Sequence, residues 1–150
     1  MIDAQREQAL MLEAARDILE MMFFASPESS EVPEPWPGAL LTAELRFDGA
    51  LAGGFRIHIE KDCARALAGN FSGAFDPAEM DAKATVGVLC ELANMVCGAT
   101  LSRLEPDSIF NLSSPQPVES GPAELCDGVQ QWLRLDEGLI GLELYVETSA

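Results

Sequence analysis

Hydrophobic and polar positions follow a helical period over residues 5–24. Met11, Ala15, Ile18, Leu19, Met22 and Phe23 form one stripe, and Glu13, Arg16, Asp17 and Glu20 take the opposite one. The pattern predicts a first helix. It stops in "ASPESSEVPEPWPG", whose four prolines in fourteen residues predict a surface loop over 26–38. The period then changes to two. "ALLTAELRF" sets Leu41, Ala43, Leu45 and Phe47 against Thr42, Glu44 and Arg46, and "LAGGFRIHIE" resumes the alternation with Leu51, Gly53, Phe55, Ile57 and Ile59. Asp48-Gly49 between them predicts an antiparallel hairpin. His58 falls with Arg56 and Glu60 on its outer side, where a solvated histidine is expected.

Asp62 is placed to cap a short helix over 63–70 that ends at Gly69-Asn70. "FDPAEM" is a stronger start signal: Asp76 suits the cap, Pro77 the first turn, and Glu79 completes a capping box. Nothing breaks the helical pattern from there to Arg103, and Pro106 closes it. "SIFNLSSPQPV" predicts one strand ended by Pro115 and Pro117. "VQQWLRL" and "LIGLELYVE" flank a turn at Asp136-Glu137-Gly138, with Ile140, Leu142, Leu144 and Val146 inward and Glu143, Tyr145 and Glu147 outward. Short-turn strands with helices grouped elsewhere predict an α+β fold, an antiparallel sheet layered with a long central helix and an N-terminal helix. A length of 150 residues predicts a single domain, 1–150.

Charge narrows the function. The chain has 25 acidic against 9 basic residues and a net charge of −16. That disfavours nucleic acid, which needs a basic footprint, and anionic membranes likewise. It leaves good solubility or a partner with a positive patch. No run reaches the roughly 18 apolar residues of a membrane-crossing helix, and "MIDAQREQAL" has no basic start of a signal peptide, so a cytoplasmic location is expected. Cys63, Cys90, Cys97 and Cys126 form no CxxC pair, and His58 is the sole histidine, so no metal site is expected. Cys90 and Cys97, seven apart on a helix, would be about 10 Å apart, too far for a disulfide. Packed, reduced thiols are expected.

Candidate chemistry lies on the long helix. On a helical wheel Val88, Leu89, Leu92, Val96 and Ala99 make the face for the sheet. Gly87, Glu91, Asn94 and Gly98 make another, and Ala84 continues it. Glu91 and Asn94, three apart, project side by side about 5–6 Å apart at Cβ. The glycines remove side chains on either side, so a second backbone can approach closely. Each glycine also costs about 1 kcal/mol of helix propensity relative to alanine. An exposed Glu and Asn are ordinary on a helix, and glycines also serve helix packing; both readings stand on the residues alone.

"ELANMVCGATLSRL", followed by "IFNLSSPQPVESG", resembles the signature of the CheX/CheC family of chemotaxis phosphatases. The matching positions are Glu91, Asn94, Met95, Gly98, Ser113, Pro115 and Gly121, and "RFDGALAGGFRIHIEKDCARALAG" resembles the family's hairpin and short helix. The resemblance covers most of 40–147, and only the Glu-x-x-Asn block is specific. It implies a CheC-like fold and hydrolysis of the aspartyl phosphate on a response-regulator receiver domain of the CheY type. Asn94 would position the attacking water, Glu91 would pair with the receiver's lysine, and Ala84, Gly87, Met95 and Gly98 would dock the partner. Mg²⁺ would come on the receiver, with no cofactor held by this chain. The first helix has "EAAR" and "EMMF" where a second Glu-x-x-Asn would stand, so one site per chain is expected. That is the CheX arrangement, which implies a homodimer paired through the sheet. Two other readings fit the composition: a non-catalytic module docking a receiver or a switch complex, and an acidic secretion chaperone.

Overall fold

The computed structural model describes residues 4–73, 80–119 and 128–147. Helix α1 spans Ala4–Phe23 and buries Met11, Ala15, Leu19 and Phe23 of the predicted stripe together with Ala14; Ile18 is half-buried, and Met22, expected in the stripe, is exposed near the end of the helix. Strand β1, Glu28–Ser30, follows inside the proline-rich segment, where no regular element is expected from sequence. The hairpin is β2, Leu40–Gly49, and β3, Gly53–Glu60, with Thr42 opposite His58 and Phe47 opposite Gly53. Helix α2 runs Lys61–Ser72, longer than predicted at both ends. Its cap position is Glu60 rather than Asp62 and makes no side-chain cap bond; Gly73 ends it in the left-handed conformation at φ 78°.

The capping box at Asp76, Pro77 and Glu79 lies outside the described residues. Helix α3 covers Ala82–Leu104, capped by Asp81, whose Oδ1 accepts from the Ala84 N–H at 2.7 Å. The single strand predicted after it is two short ones, β4 at Phe110–Leu112 and β5 at Gln116–Val118. Pro115, which cannot donate to a ladder, lies in the break, while Pro117 is accommodated within β5 opposite Ala43. Strands β6, Val129–Leu135, and β7, Gly138–Val146, form the second hairpin.

Among the described residues all strands join one antiparallel seven-stranded sheet in the order β1-β6-β7-β3-β2-β4, with β5 also on β2. The three helices supply one apolar face over the sheet: Met11, Leu19 and Phe23 of α1, Leu67 of α2, and Leu89, Leu92, Val96 and Leu101 of α3 pack with Leu45, Phe55, Ile57, Leu133, Leu142 and Leu144. This is the α+β layering the sequence predicts. Helix α3 is long and apolar enough to cross a membrane by length and composition, contrary to the expectation that no segment is. Its apolar side is instead buried in the core.

The other sheet face corrects the reading of His58. That side chain is fully buried, with Nδ1 2.7 Å from Thr42 Oγ1 and Nε2 2.5 Å from Glu143 Oε1. Nε2 thus faces the Glu143 carboxylate and Nδ1 the Thr42 hydroxyl. The cover is the proline-rich loop. Trp36 meets His58 edge-on at 4.8 Å and Trp132 at 5.2 Å, and Trp132 stacks along His58 at 6.3 Å. Alternation fixed the correct face; a loop twenty residues upstream removed the solvent from it.

Candidate functional site

Helix α3 is anchored along its length. Its sheet side buries Leu89, Leu92, Ala93, Val96, Cys97 and Leu101. Arg103 ties it to α1, with Nη2 donating to Asp17 Oδ2 at 2.7 Å, Nε to Glu13 Oε1 at 3.4 Å and Nη1 back to the Ala99 carbonyl at 3.2 Å. Arg6 Nη2 of α1 donates to the Leu104 carbonyl at 3.2 Å. A side chain on the outer face of this helix therefore has a fixed base.

That outer face carries the predicted residues. Glu91 and Asn94 are exposed, as are Ala84 and Gly87; Gly98 and Met95 are partly buried, Met95 against the core. Neither Glu91 nor Asn94 has a hydrogen bond or ion pair among the described residues. A Cβ added at Gly87 would meet nothing within 4 Å, and one at Gly98 would meet only Leu112 Cδ2 at 3.9 Å. The glycines are therefore not required for internal packing, and they leave a shallow trough around a carboxylate and an amide. Arg103 is engaged by Glu13 and Asp17 of α1, which leaves Lys83 and Glu91, one charge of each sign, as the helix's other charged side chains.

The thiols take no part. Burial pushes the Cys97 thiol up to about 12 and raises that of Cys90. Cys63 is pushed up to about 12 by burial first, then by Glu137 and Glu60. All three are protonated at neutral pH and poor nucleophiles. Among the described residues no three His, Cys, Asp or Glu side chains converge as metal ligands do. Ser113 and Pro115 lie off the helix beside β4 and β5, where Ser113 Oγ accepts from the Arg46 N–H at 2.9 Å. Gly121 lies outside the described residues. Sequence reasoning missed Asp81, the cap that starts the helix, because the capping box five residues earlier looked stronger.

An antiparallel sheet with a long helix holding an open Glu-x-x-Asn face defines the CheC-like α+β class. The family model described as chemotaxis phosphatase CheX matches residues 41–132, and the chain belongs to that family. Three of the solved structures similar to it are the following. The chemotaxis protein CheX from Vibrio vulnificus superposes with a TM-score of 0.79 at 17% identity, covering 98% of this chain and 100% of that one. CheX from Desulfovibrio desulfuricans gives 0.73 at 17%, over 94% and 99%. The CheX–CheY–BeF3–Mg²⁺ complex from Borrelia burgdorferi gives 0.71 at 14%, over 99% and 100%. At these identities the superpositions establish the fold. No curated protein matches the chain.

Proposed function

We propose that this chain accelerates hydrolysis of the aspartyl phosphate on a CheY-type receiver domain, through Glu91 and Asn94. The carrying observation is that these two side chains stand unpaired in solvent, one turn apart, on a helix whose opposite side is locked in the core. Family membership and the solved complex of a CheX with CheY support the partner class.

The chemistry asks little of this chain. A receiver supplies the acyl phosphate, the Mg²⁺ that neutralises its oxygens, and a lysine. The Asn94 amide accepts from and donates to one water and holds it in line with the phosphorus. The water oxygen bonds to phosphorus, the bond to the aspartate oxygen breaks to leave a carboxylate, and phosphate departs carrying both of the water's protons. Glu91 pairs with the receiver's lysine and sets the register of docking. Ala84, Gly87 and Gly98 let the helix backbone sink toward the partner; Met95, expected to dock as well, is partly buried against the core and offers the partner only its exposed part. The same reading carries a homodimer paired through a sheet edge, in the cytoplasm, where receivers signal.

The test is decay of a radiolabelled phospho-receiver. Asn94→Ala is expected to abolish the acceleration with binding largely kept, and Glu91→Ala to weaken both. Equal decay with wild type and Asn94→Ala sinks the catalytic role. Binding by the wild type with no acceleration at all favours a non-catalytic docking module instead.

A further inference from the structure

The α3 trough is too bare to hold a protein partner by itself. A specific interface buries about 800 Å² per partner, and its core is enriched in Phe, Met and other large side chains. Ala84, Gly87, Glu91, Asn94 and Gly98 offer almost no apolar side-chain area. Charge does not fill the gap, because a chain at −16 gains no long-range attraction toward an anionic phospho-aspartate pocket.

The neighbouring helix has what the trough lacks. Met21 and Phe24 are each 75% exposed at the C-terminal end of α1. Phe24 also sits at φ 55°, the left-handed region a bulky residue rarely occupies and glycine or asparagine would take at less cost. A ring held in solvent on a strained backbone position gives nothing to the core. Its ring neighbour in sequence, Phe23, is buried and stacked on Phe71 at 5.0 Å. Asn70 Nδ2 donates to the Phe23 carbonyl at 3.0 Å, so the turn that carries Phe24 is fixed from below.

Position along the fold connects this patch to the trough. The Arg6–Leu104 and Arg103–Glu13/Asp17 contacts show α1 and α3 antiparallel, with residues 13–17 beside the level of Ala99. Glu13, Asp17 and Met21 follow at spacings of four, one stripe of α1, and Phe24 is the first residue past the helix end. At 1.5 Å per residue, Met21 comes roughly level with Asn94, and Phe24 follows just beyond the helix end. The apolar pair thus lies at about the axial level of the polar pair on the adjacent helix.

We propose that Met21 and Phe24 are the apolar anchor of the receiver-docking surface, so that the partner rests on α1 while Glu91 and Asn94 enter its phosphorylation site. This rests on the receiver reading above. The experiment titrates a beryllofluoride-activated receiver against the wild type, a Met21→Ala/Phe24→Gly variant, and a Met22→Ala control on another side of α1. Glycine suits φ 55°, so the double variant is expected to melt no lower than wild type. Its Kd is expected to rise roughly tenfold and the half-saturating receiver concentration for dephosphorylation in step, with the maximal rate unchanged. The control is expected to bind as wild type does. A Kd within about twofold of wild type overturns the anchor, as does an equal loss in the control. Asn94→Ala separates the two claims: if it keeps full activity while the double variant loses affinity, the catalytic role fails and the anchor stands.

Discussion

On the outer face of the sheet, His58 and Glu143 lie 2.5 Å apart and both are buried, whereas on α3 Glu91 and Asn94 stand one turn apart in solvent with no partner. Each pair is polar and each is flanked by glycine. The glycines behave in opposite ways. At Gly141, opposite His58 in the sheet, an added Cβ would come within 2.6 Å of the Trp132 ring, while at Gly87 it would touch nothing. Closed glycines around satisfied polar groups are what a structural network needs. Open glycines around unsatisfied ones make room for something outside the chain. The comparison separates the two sets where residue types alone do not.

The closed face should therefore be where substitutions cost most. His58→Leu removes two hydrogen bonds to Thr42 and Glu143 and the aromatic packing with Trp36 and Trp132. It also leaves the Glu143 carboxylate buried, with Arg56, its neighbour in register, already engaged with Glu44. A loss of about 3 kcal/mol is expected in urea unfolding. Gly141→Ala should cost about 2 kcal/mol by displacing Trp132, and red-shift tryptophan emission as that ring meets water. If either variant is neutral, the network is not structural and the comparison loses one side.

How much of this was legible in sequence follows from range. The α1 stripe, both hairpins and the α3 face are set by neighbours within a few residues, so periods of 3.6 and 2 revealed them. The Glu91–Asn94 exposure was legible for the same reason. His58 was not, because its burial depends on Trp36, which reaches it from a loop that carries no period, and on Trp132, more than seventy residues downstream. Splitting the predicted strand into β4 and β5 required knowing that both pair with β2, one at each end. Met21 lay off the predicted apolar stripe and Phe24 just past its end, so neither stood out until their exposure was visible.

Thiols give a smaller, pH-dependent effect that also reports on the core. The Cys63 and Cys97 values are raised in the fold, to about 12, so the native state holds their protons more tightly than the unfolded chain does. Their stabilising contribution is complete below the ordinary thiol range and is lost as pH rises through about 9 toward 12. At pH 9.5 the loss is on the order of 1 kcal/mol. Stability flat from pH 7 to 10 would mean the thiols are less buried than here. Maleimide labelling should reach the partly exposed Cys90 well before either of them.

The smallest effect is the most discriminating, because its sign differs between stability and function. Gly87→Ala places a methyl in open space on an exposed helix position, so it should stabilise by up to about 1 kcal/mol and raise Tm by about 3 °C. Gly87→Leu should fold as well as wild type for the same reason, yet bind the activated receiver more weakly, since its side chain would stand in the path of the approaching partner. A helix under selection for stability alone has no reason to keep a glycine there. If Gly87→Leu binds and dephosphorylates as wild type does, the trough is not the docking face, and the openness of Gly87 must then be explained without a partner.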